Sequence, residues 1–441
     1  MTVSITREIE HAATKRTPPI PITCQVFPDG TIIEAVRVAA GGERLRLLKW
    51  NDGNATLALC VRHAGQTFVP AAVDPSVLEV IRFPVTTAPH STTRDLFCDL
   101  GKLLAQYTDL PEQFVSLAAY FTFATWMIDR LTLAPCLSIV AGLPGESMPL
   151  LRLLRCVCRR PLLVGGLNPA TLRSLPMYLH PTLLIAGDLD FSTQRLLWAA
   201  SNRGVCIPHK GQLLDFFCAR AIASGQRLSQ AGLDGTAIHL AVGPTCRTLP
   251  TLEGEEEERI ANHFQDRMFS YRLSKYNKIS SPPSDLTGLA SPTQPLARSL
   301  QTGIVGDAEL QSDVASWLRN QDEETRAERS AALESVLLEA SLFFCHDPKR
   351  QEVYVGELTY TVNTILKNRG ETAELEPREV GHRLRCLGLF TKRLSGAGRG
   401  ITLLQPDRQR IHRLAYDFEV PSVRDGIARC GDCVQRQETT Q

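Results

Sequence analysis

Between residues 137 and 241, short uninterrupted apolar runs alternate with amphipathic stretches, and this alternation constrains the fold of the 441-residue chain more than any other feature. Strands are expected at 137–140, 161–164, 182–186, 205–208, 213–219 and 237–241, and helices at 149–158, 170–178 and 193–201. A strand without polar alternation must be buried on both faces. Helices crossing over a mainly parallel sheet provide that cover, so the reading is an α/β domain. Two helices lead into it. One, at 94–107, is capped by Ser91 or Thr92 and carries Leu96, Leu100, Leu103 and Leu104 on one face; a more apolar one runs over 111–128.

The flanks read differently. Segments at 23–27, 31–38, 44–49, 56–62 and 66–69 are β-rich and punctuated by Pro28-Asp29-Gly30, Gly41-Gly42 and Asn51-Asp52-Gly53, which favour hairpins. This predicts a small antiparallel β domain over 20–90, after a flexible 1–19. The α/β domain would span 91–275, and a Ser-, Pro-, Thr- and Gly-rich linker 276–306. In 307–420, helices at 332–344, 355–367 and 377–387 precede a hairpin of 390–394 and 401–405 and a last helix at 407–418. Three helices and a hairpin wing is the winged-helix order, a variant of the helix-turn-helix. Residues 421–441 read as a flexible tail.

A net charge of +1 confines any nucleic-acid contact to a local basic surface. The first twenty residues mix Arg7, Glu8, Glu10, Lys15 and Arg16 with prolines and show no secretory pattern. The apolar stretch 114–128 falls short of the roughly 20 residues that span a bilayer. No membrane role and a cytoplasmic location are expected. The thirteen cysteines, including Cys60, Cys136, Cys156, Cys158 and Cys218, read as reduced and mostly buried. Cys430 and Cys433 form half a zinc site without a second pair, so no metal is expected. His209 and Lys210 read as a solvated loop.

The run AGLPGESMP at 141–149 follows an apolar strand and precedes a helix, the setting of a Walker A loop. Such a loop cradles phosphates on backbone N–H groups, neutralises them with a lysine and holds magnesium through a Ser/Thr hydroxyl. Gly142, Pro144, Gly145 and Ser147 keep the turn. Met148 stands in the lysine position, Pro149 in the Ser/Thr position, and Glu146 adds a negative charge. Downstream, PTLLIAG at 181–187 ends without the Asp-Glu of a Walker B strand; Asp188 and Asp190 come one to three residues late. The nucleotide site reads as degenerate, with Asp188 its remaining candidate metal contact, no catalytic residue and no cofactor.

In order and spacing these segments resemble the ATPase domain and winged-helix tail of phage- and plasmid-type primase–helicase proteins. There a helix pair precedes a strand, a loop like GPPGSGKS and an LLRLL helix. Here GLPG at 142–145 is followed by LLRLL at 150–154 and RRP at 159–161. The family's PTLLLDE is matched by PTLLIAG, and its KALAGIG by RAIASG at 220–225. Asp234-Gly235 replaces an Asp-Arg whose arginine serves the nucleotide. The resemblance implies an AAA+-like P-loop core, a mobile-element origin and DNA as partner, with a protein partner or a ring-like homo-oligomer as further options. Its catalytic letters are absent, which makes the chain a pseudo-ATPase.

Helix 377–387 buries Val380, Leu384 and Leu387 at helical spacing and offers Arg378, His382, Arg383 and Arg385 on its other faces. The hairpin adds Lys392, Arg393 and Arg399. A cationic helix can enter the major groove while a basic wing meets the backbone or minor groove. The expected function is non-catalytic DNA binding. Two alternatives remain: an active DNA-dependent ATPase or helicase using ATP and magnesium at an atypical site with Asp188 or Asp190, and a protein-docking regulator.

Overall fold

The computed structural model describes residues 18–38, 44–225, 228, 236–244, 247–279, 286, 288–394, 398–418 and 420. Outside these lie the expected flexible ends with Cys430 and Cys433, the Gly41-Gly42 turn, Asp234-Gly235, the Ser-Pro run at 280–285 and residues 395–397 of the expected hairpin loop. The chain forms two compact units: 1–286 with 292–318, and 287–291 with 319–441.

The first unit opens with β1 (Ile20–Ile22), β2 (Cys24–Val26), β3 (Ile32–Val38), β4 (Arg44–Asn51), β5 (Asn54–Ala58), β6 (Val61–His63) and β7 (Gln66–Pro70). Strands β2 to β5 form an antiparallel meander, and β1-β7-β6 a second sheet. Asp52 and Gly53 (φ 44° and 88°) supply the left-handed pair that the two-residue turn between β4 and β5 requires. One pairing departs from the antiparallel expectation: β1 runs parallel to β7. Only Thr23 separates β1 from β2, so the direction of β1 is dictated by the pairing of β2 with β3.

After α1 (Pro75–Val80) come α2 (Thr93–Tyr107) and α3 (Glu112–Trp126). Thr92 and Asp95 close a capping box on α2, and Leu96, Leu100 and Leu104 are wholly buried. From Leu117 to Trp126 the α3 side chains are all buried, which explains its lack of a polar face. Among the described residues no helix is long and apolar enough to cross a membrane.

The central layer follows as β8 (Cys136–Ala141), α4 (Pro144–Val157), β9 (Pro161–Gly165), α5 (Pro169–Ser174), β10 (Thr182–Ala186), α6 (Phe191–Ala199), β11 (Cys206–His209), β12 (Gln212–Asp215), β13 (Arg220–Ser224) and β14 (Ala237–Val242). Five of these strands make one parallel sheet in the order β14-β8-β13-β10-β9. The chain is thus mixed α/β, with a buried parallel sheet as the alternation implies. The strand expected at 213–219 forms only to Asp215, as β12, which pairs with β11 in a hairpin outside the sheet; the strand that enters the sheet, β13, begins beyond it at Arg220. Asp215 ends the hairpin by accepting the Phe217 N–H at 2.8 Å, a turn that competes with the ladder.

The β-rich N-terminal segment, expected as a separate domain, belongs to the same compact unit as this sheet. Its Glu34 on β3 is 1% exposed and meets three guanidiniums: Arg159 at 2.6 Å, Arg160 at 3.1 Å and Arg272 at 2.8 Å. Arg272 lies on α7 (Gly254–Lys275) and also holds Asp129 at 2.6 Å. Burial opposes ionisation of Glu34, but Arg159, Arg272 and Arg160 outweigh it and hold the carboxyl well below the usual range. A buried cluster of this kind ties two sheets and a helix into one body.

The expected 276–306 linker also contains structure. It holds α8 (Gln294–Gly303), whose Leu296, Ala297 and Leu300 are fully buried and which packs on α3. A Cβ at Gly303 would lie 2.8 Å from the Ala124 backbone nitrogen, so glycine permits the close approach. Helix α9 (Ala308–Ala331) then carries the chain across the boundary between units.

The second unit contains α10 (Leu333–Cys345), β15 (Glu352–Tyr354), α11 (Val355–Asn368), α12 (Pro377–Cys386), β16 (Lys392–Arg393), β17 (Arg399–Thr402) and α13 (Gln405–Asp417). The strands form an antiparallel sheet ordered β15-β17-β16, one strand more than the expected hairpin. Leu337, Leu358, Val362, Val380, Leu384 and Ile411 share its core.

Candidate nucleotide loop and candidate nucleic-acid interface

The first candidate site lies after β8, a strand flanked on both sides by parallel partners, at the carboxyl end of the sheet. Open α/β sheets bind ligands in that place. Helix α4 starts at Pro144, five residues earlier than expected, leaving only Gly142 and Leu143 between strand and helix. Pro144 is pre-organised for a first helical position, which favours the early start. Gly145, Ser147 and Met148 are therefore helical residues rather than members of a wide cradle, and Pro149 sits inside the helix. Ser147 is buried and Gly142 exposed.

Glu146 turns back onto the loop from the first turn of α4. Its carboxylate accepts the Leu143 N–H at 3.1 Å and lies 3.7 Å from where a Cβ on Gly142 would be. A carboxylate in the first turn is favoured by the helix dipole, as a phosphate would be, and competes for the same donors.

Asp188 lies just past the carboxyl end of β10 and is exposed; its Oδ1 accepts the Gly225 N–H at 3.0 Å. Asp190 caps α6, accepting from the Thr193 N–H at 2.6 Å and the Ser192 hydroxyl at 2.7 Å. The Ser192 hydroxyl bond, then the Thr193 N–H, lowers the Asp190 pKa from its ordinary value. Both carboxylates thus serve local turns. Arg220, in the segment that resembles the family's KALAGIG, is wholly buried and donates to the Leu197 and Cys218 carbonyls. His209 and Lys210 close the β11–β12 hairpin, where Lys210 and Gly211 (φ 46° and 78°) make the turn.

Thiol positions follow burial. Burial pushes Cys136 and Cys218 up to about 11 and Cys156 and Cys158 up to about 12, which leaves them inert. Cys60, by contrast with the buried reading, is exposed.

The second candidate site is built on α12. Val380 and Leu384 anchor it in the core at zero exposure, and Arg378, His382 and Arg385 are exposed. Arg383 differs: it is half-buried and paired with Glu334 on α10 at 2.5 Å and with Glu379 at 2.9 Å. Its charge is balanced within the unit, which its spacing on the helix could not show. His382 Nε2 lies 3.7 Å from the Cys386 sulfur.

Lys392, Arg393 and Arg399 are exposed on β16 and β17, with Arg393 and Arg399 directly paired in register. A cleft of about 600 Å³ opens between the starts of α11, α12 and β17; Arg378, Arg385 and Arg399 line it together with Tyr354, Gly356 and Gly381. The glycines of the β16–β17 hairpin have a packing cause. A Cβ at Gly400 would lie 2.2 Å from the Val353 carbonyl oxygen, and one at Gly398 2.8 Å from the Tyr354 ring. Strand β15, absent from the sequence reading, imposes both.

No protein-family model matches the chain, and no curated protein matches it. Among solved structures, it is similar to the apo C-terminal region of NrS-1 at a TM-score of 0.32 and 11% identity, over 84% of this chain and 95% of that one. A second structure of that region, residues 305–718, gives 0.31 and 11% over 84% and 96%. Drosophila ORC bound to DNA gives 0.20 and 11% over 76% and 95%. Likenesses this loose assign neither fold nor function.

Proposed function

We propose that this protein binds DNA through its second unit and does not hydrolyse ATP, the first unit being a P-loop-type scaffold of primase–helicase lineage without its catalytic letters. The observation that carries the DNA reading is the gathering of Arg378, Arg385 and Arg399 around one cleft beside α12. Helix α12 over a buried core, followed by the β16–β17 wing, supports assigning the unit to the winged-helix class. Arginines that surround a concave surface suit phosphate oxygens, because the planar guanidinium forms paired hydrogen bonds with them.

The non-catalytic reading is supported at the β8–α4 loop. A triphosphate there would have to displace the Glu146 carboxylate from the Leu143 N–H and would find Met148 and Pro149 in place of a cation and a hydroxyl. Two measurements on the purified full chain test the proposal. Fluorescence anisotropy with labelled duplex DNA should show binding that weakens steeply with salt. Thermal shift and phosphate release with millimolar Mg-ATP should show neither stabilisation nor turnover. Binding without salt dependence, or steady phosphate release, would overturn the corresponding half. Capture of a protein in place of DNA would identify the second unit as a docking module.

A further inference from the structure

Arg393 and Arg399 are register partners on adjacent strands, and both are exposed. Side chains at paired positions of an antiparallel ladder emerge on one face a few ångströms apart, where like charges oppose folding. Arg399 also lines the cleft with Arg378 and Arg385. It is held in place by donating to the Thr391 carbonyl at 2.9 Å, as Arg385 donates to that of Gly381 at 3.3 Å. None of these four guanidiniums is paired with a carboxylate among the described residues; the ion pairs of the unit involve Arg350, Arg369 and Arg383 instead. An uncompensated group of this kind is stabilised by a bound anion.

The cleft itself suits a backbone rather than a base. Its wall carries no side chain at Gly356 or Gly381, and a Cβ added at Gly356 meets nothing within 4 Å. Helices α11 and α12 both begin at its edge, but Glu357 caps the Tyr354 N–H at 3.0 Å and Glu379 lies in the first turn of α12, so the arginines rather than the helix starts supply the attraction for phosphate. Base reading, by contrast, has little to work with on α12. Arg378 and Arg385 belong to the cleft and Arg383 is held by two carboxylates. That leaves His382 and the Cys386 thiol as the remaining exposed hydrogen-bonding side chains of the helix.

Resting on the DNA-binding reading above, we infer that this arginine cleft seats the sugar–phosphate backbone, so that the second unit grips duplex DNA without regard to base sequence. Arg378, Arg385 and Arg399 hold the phosphate, and Arg393 meets a neighbouring one on the same strand. Affinity then comes from counterion release and is shared by unrelated sequences.

The test uses the full chain and two labelled 20-base-pair duplexes, one A·T-rich and one G·C-rich, titrated across a salt series. Wild type should bind both within about threefold, since a base contact would be needed for more. Arg378→Gln, Arg385→Gln, Arg393→Gln and Arg399→Gln should each flatten the slope of log K against log salt by about 0.9, equally on both duplexes. Lys367→Gln, some 18 Å along α11 by its rise of about 1.5 Å per residue, should leave the slope unchanged. Gly356→Leu keeps every charge but fills the cleft, and should weaken both duplexes about fivefold or more. Selectivity above about thirtyfold between duplexes indicates base readout and overturns the inference while the DNA reading stands. Unchanged slopes in arginine variants that melt like wild type do the same. Wild type that binds neither duplex at low salt overturns both.

Discussion

Two candidate anion sites in this molecule lie at helix starts, one at α4 and one at α11 and α12, and they differ in the charge gathered around them. At the start of α4 the chain supplies the anion itself, through Glu146. At the cleft beside α11 and α12 Glu357 likewise caps the Tyr354 N–H, but Arg378, Arg385, Arg393 and Arg399 stand there without carboxylate partners among the described residues. The first unit buries a carboxylate, Glu34, among three arginines, whereas the second unit leaves Arg378, Arg385, Arg393 and Arg399 exposed. A helix start is thus only a potential anion site. The charge of its neighbours decides whether an external ligand or the chain itself occupies it.

The largest effect comes from breaking the internal side of this contrast. Glu34→Gln leaves Arg159, Arg160 and Arg272 buried with their main acceptor neutralised, and should destabilise the first unit by about 3–5 kcal/mol. Chemical denaturation followed by near-ultraviolet circular dichroism reads it; a loss under about 1 kcal/mol would mean the cluster is not under tension. In the second unit, Gly400→Ala drives a Cβ against the Val353 carbonyl and should cost about 1–3 kcal/mol, lowering the melting temperature and releasing the wing. Wild-type melting and DNA affinity in this variant would show that the β15–β17 packing has room to give.

The nucleotide loop can be pushed towards the other behaviour. Replacing Glu146, Met148 and Pro149 together by Ser, Lys and Thr removes the competing carboxylate and adds a cation and a hydroxyl. Mg-ATP affinity by calorimetry should then rise about tenfold or more, equivalent to about 1.4 kcal/mol. If it does not, the two-residue loop, rather than charge, excludes the nucleotide. In the second unit Arg383→Gln should change DNA affinity less than about twofold, because an ion-paired arginine has little net charge to offer; a loss matching that of Arg385→Gln would show that Arg383 leaves Glu334 and Glu379 on binding.

The smallest effect is a pH dependence. His346 packs at a tilt against His412 with ring centroids 5.3 Å apart, and its pKa is lowered by burial, then by His412 and Arg408. The neutral form is favoured when folded, while the unfolded chain takes up a proton near pH 6.5. Stability of the second unit is therefore complete above about pH 6.5 and declines as the pH falls below it. His346→Asn should flatten that part of the melting-temperature profile. A profile unchanged by the substitution would place the pH dependence elsewhere.

Local pattern made much of the architecture legible. Strands β8, β9 and β10 are apolar without interruption because both faces of a parallel sheet are covered, so each reveals itself within five or six residues. The cap at Thr92 and the buried faces of α2 and α12 follow from spacing alone. That Met148 and Pro149 offer neither a cation nor a hydroxyl is likewise written in the sequence. What could not be read there depends on residues far apart in the chain. Helix α8 was hidden in a Ser- and Pro-rich stretch because its reason to form is α3, nearly 180 residues earlier. Arg383 looked like its neighbours until Glu334, 49 residues away, was brought beside it. Glu34 met Arg272 across 238 residues, and Gly400 owes its identity to a strand whose three residues carry too little pattern to announce themselves. Periodicity and composition determined which segments become helix or strand, since those depend on local torsion and burial. The tertiary structure alone decided which charges cancel and which remain to meet a partner, because electrostatic pairing acts through space.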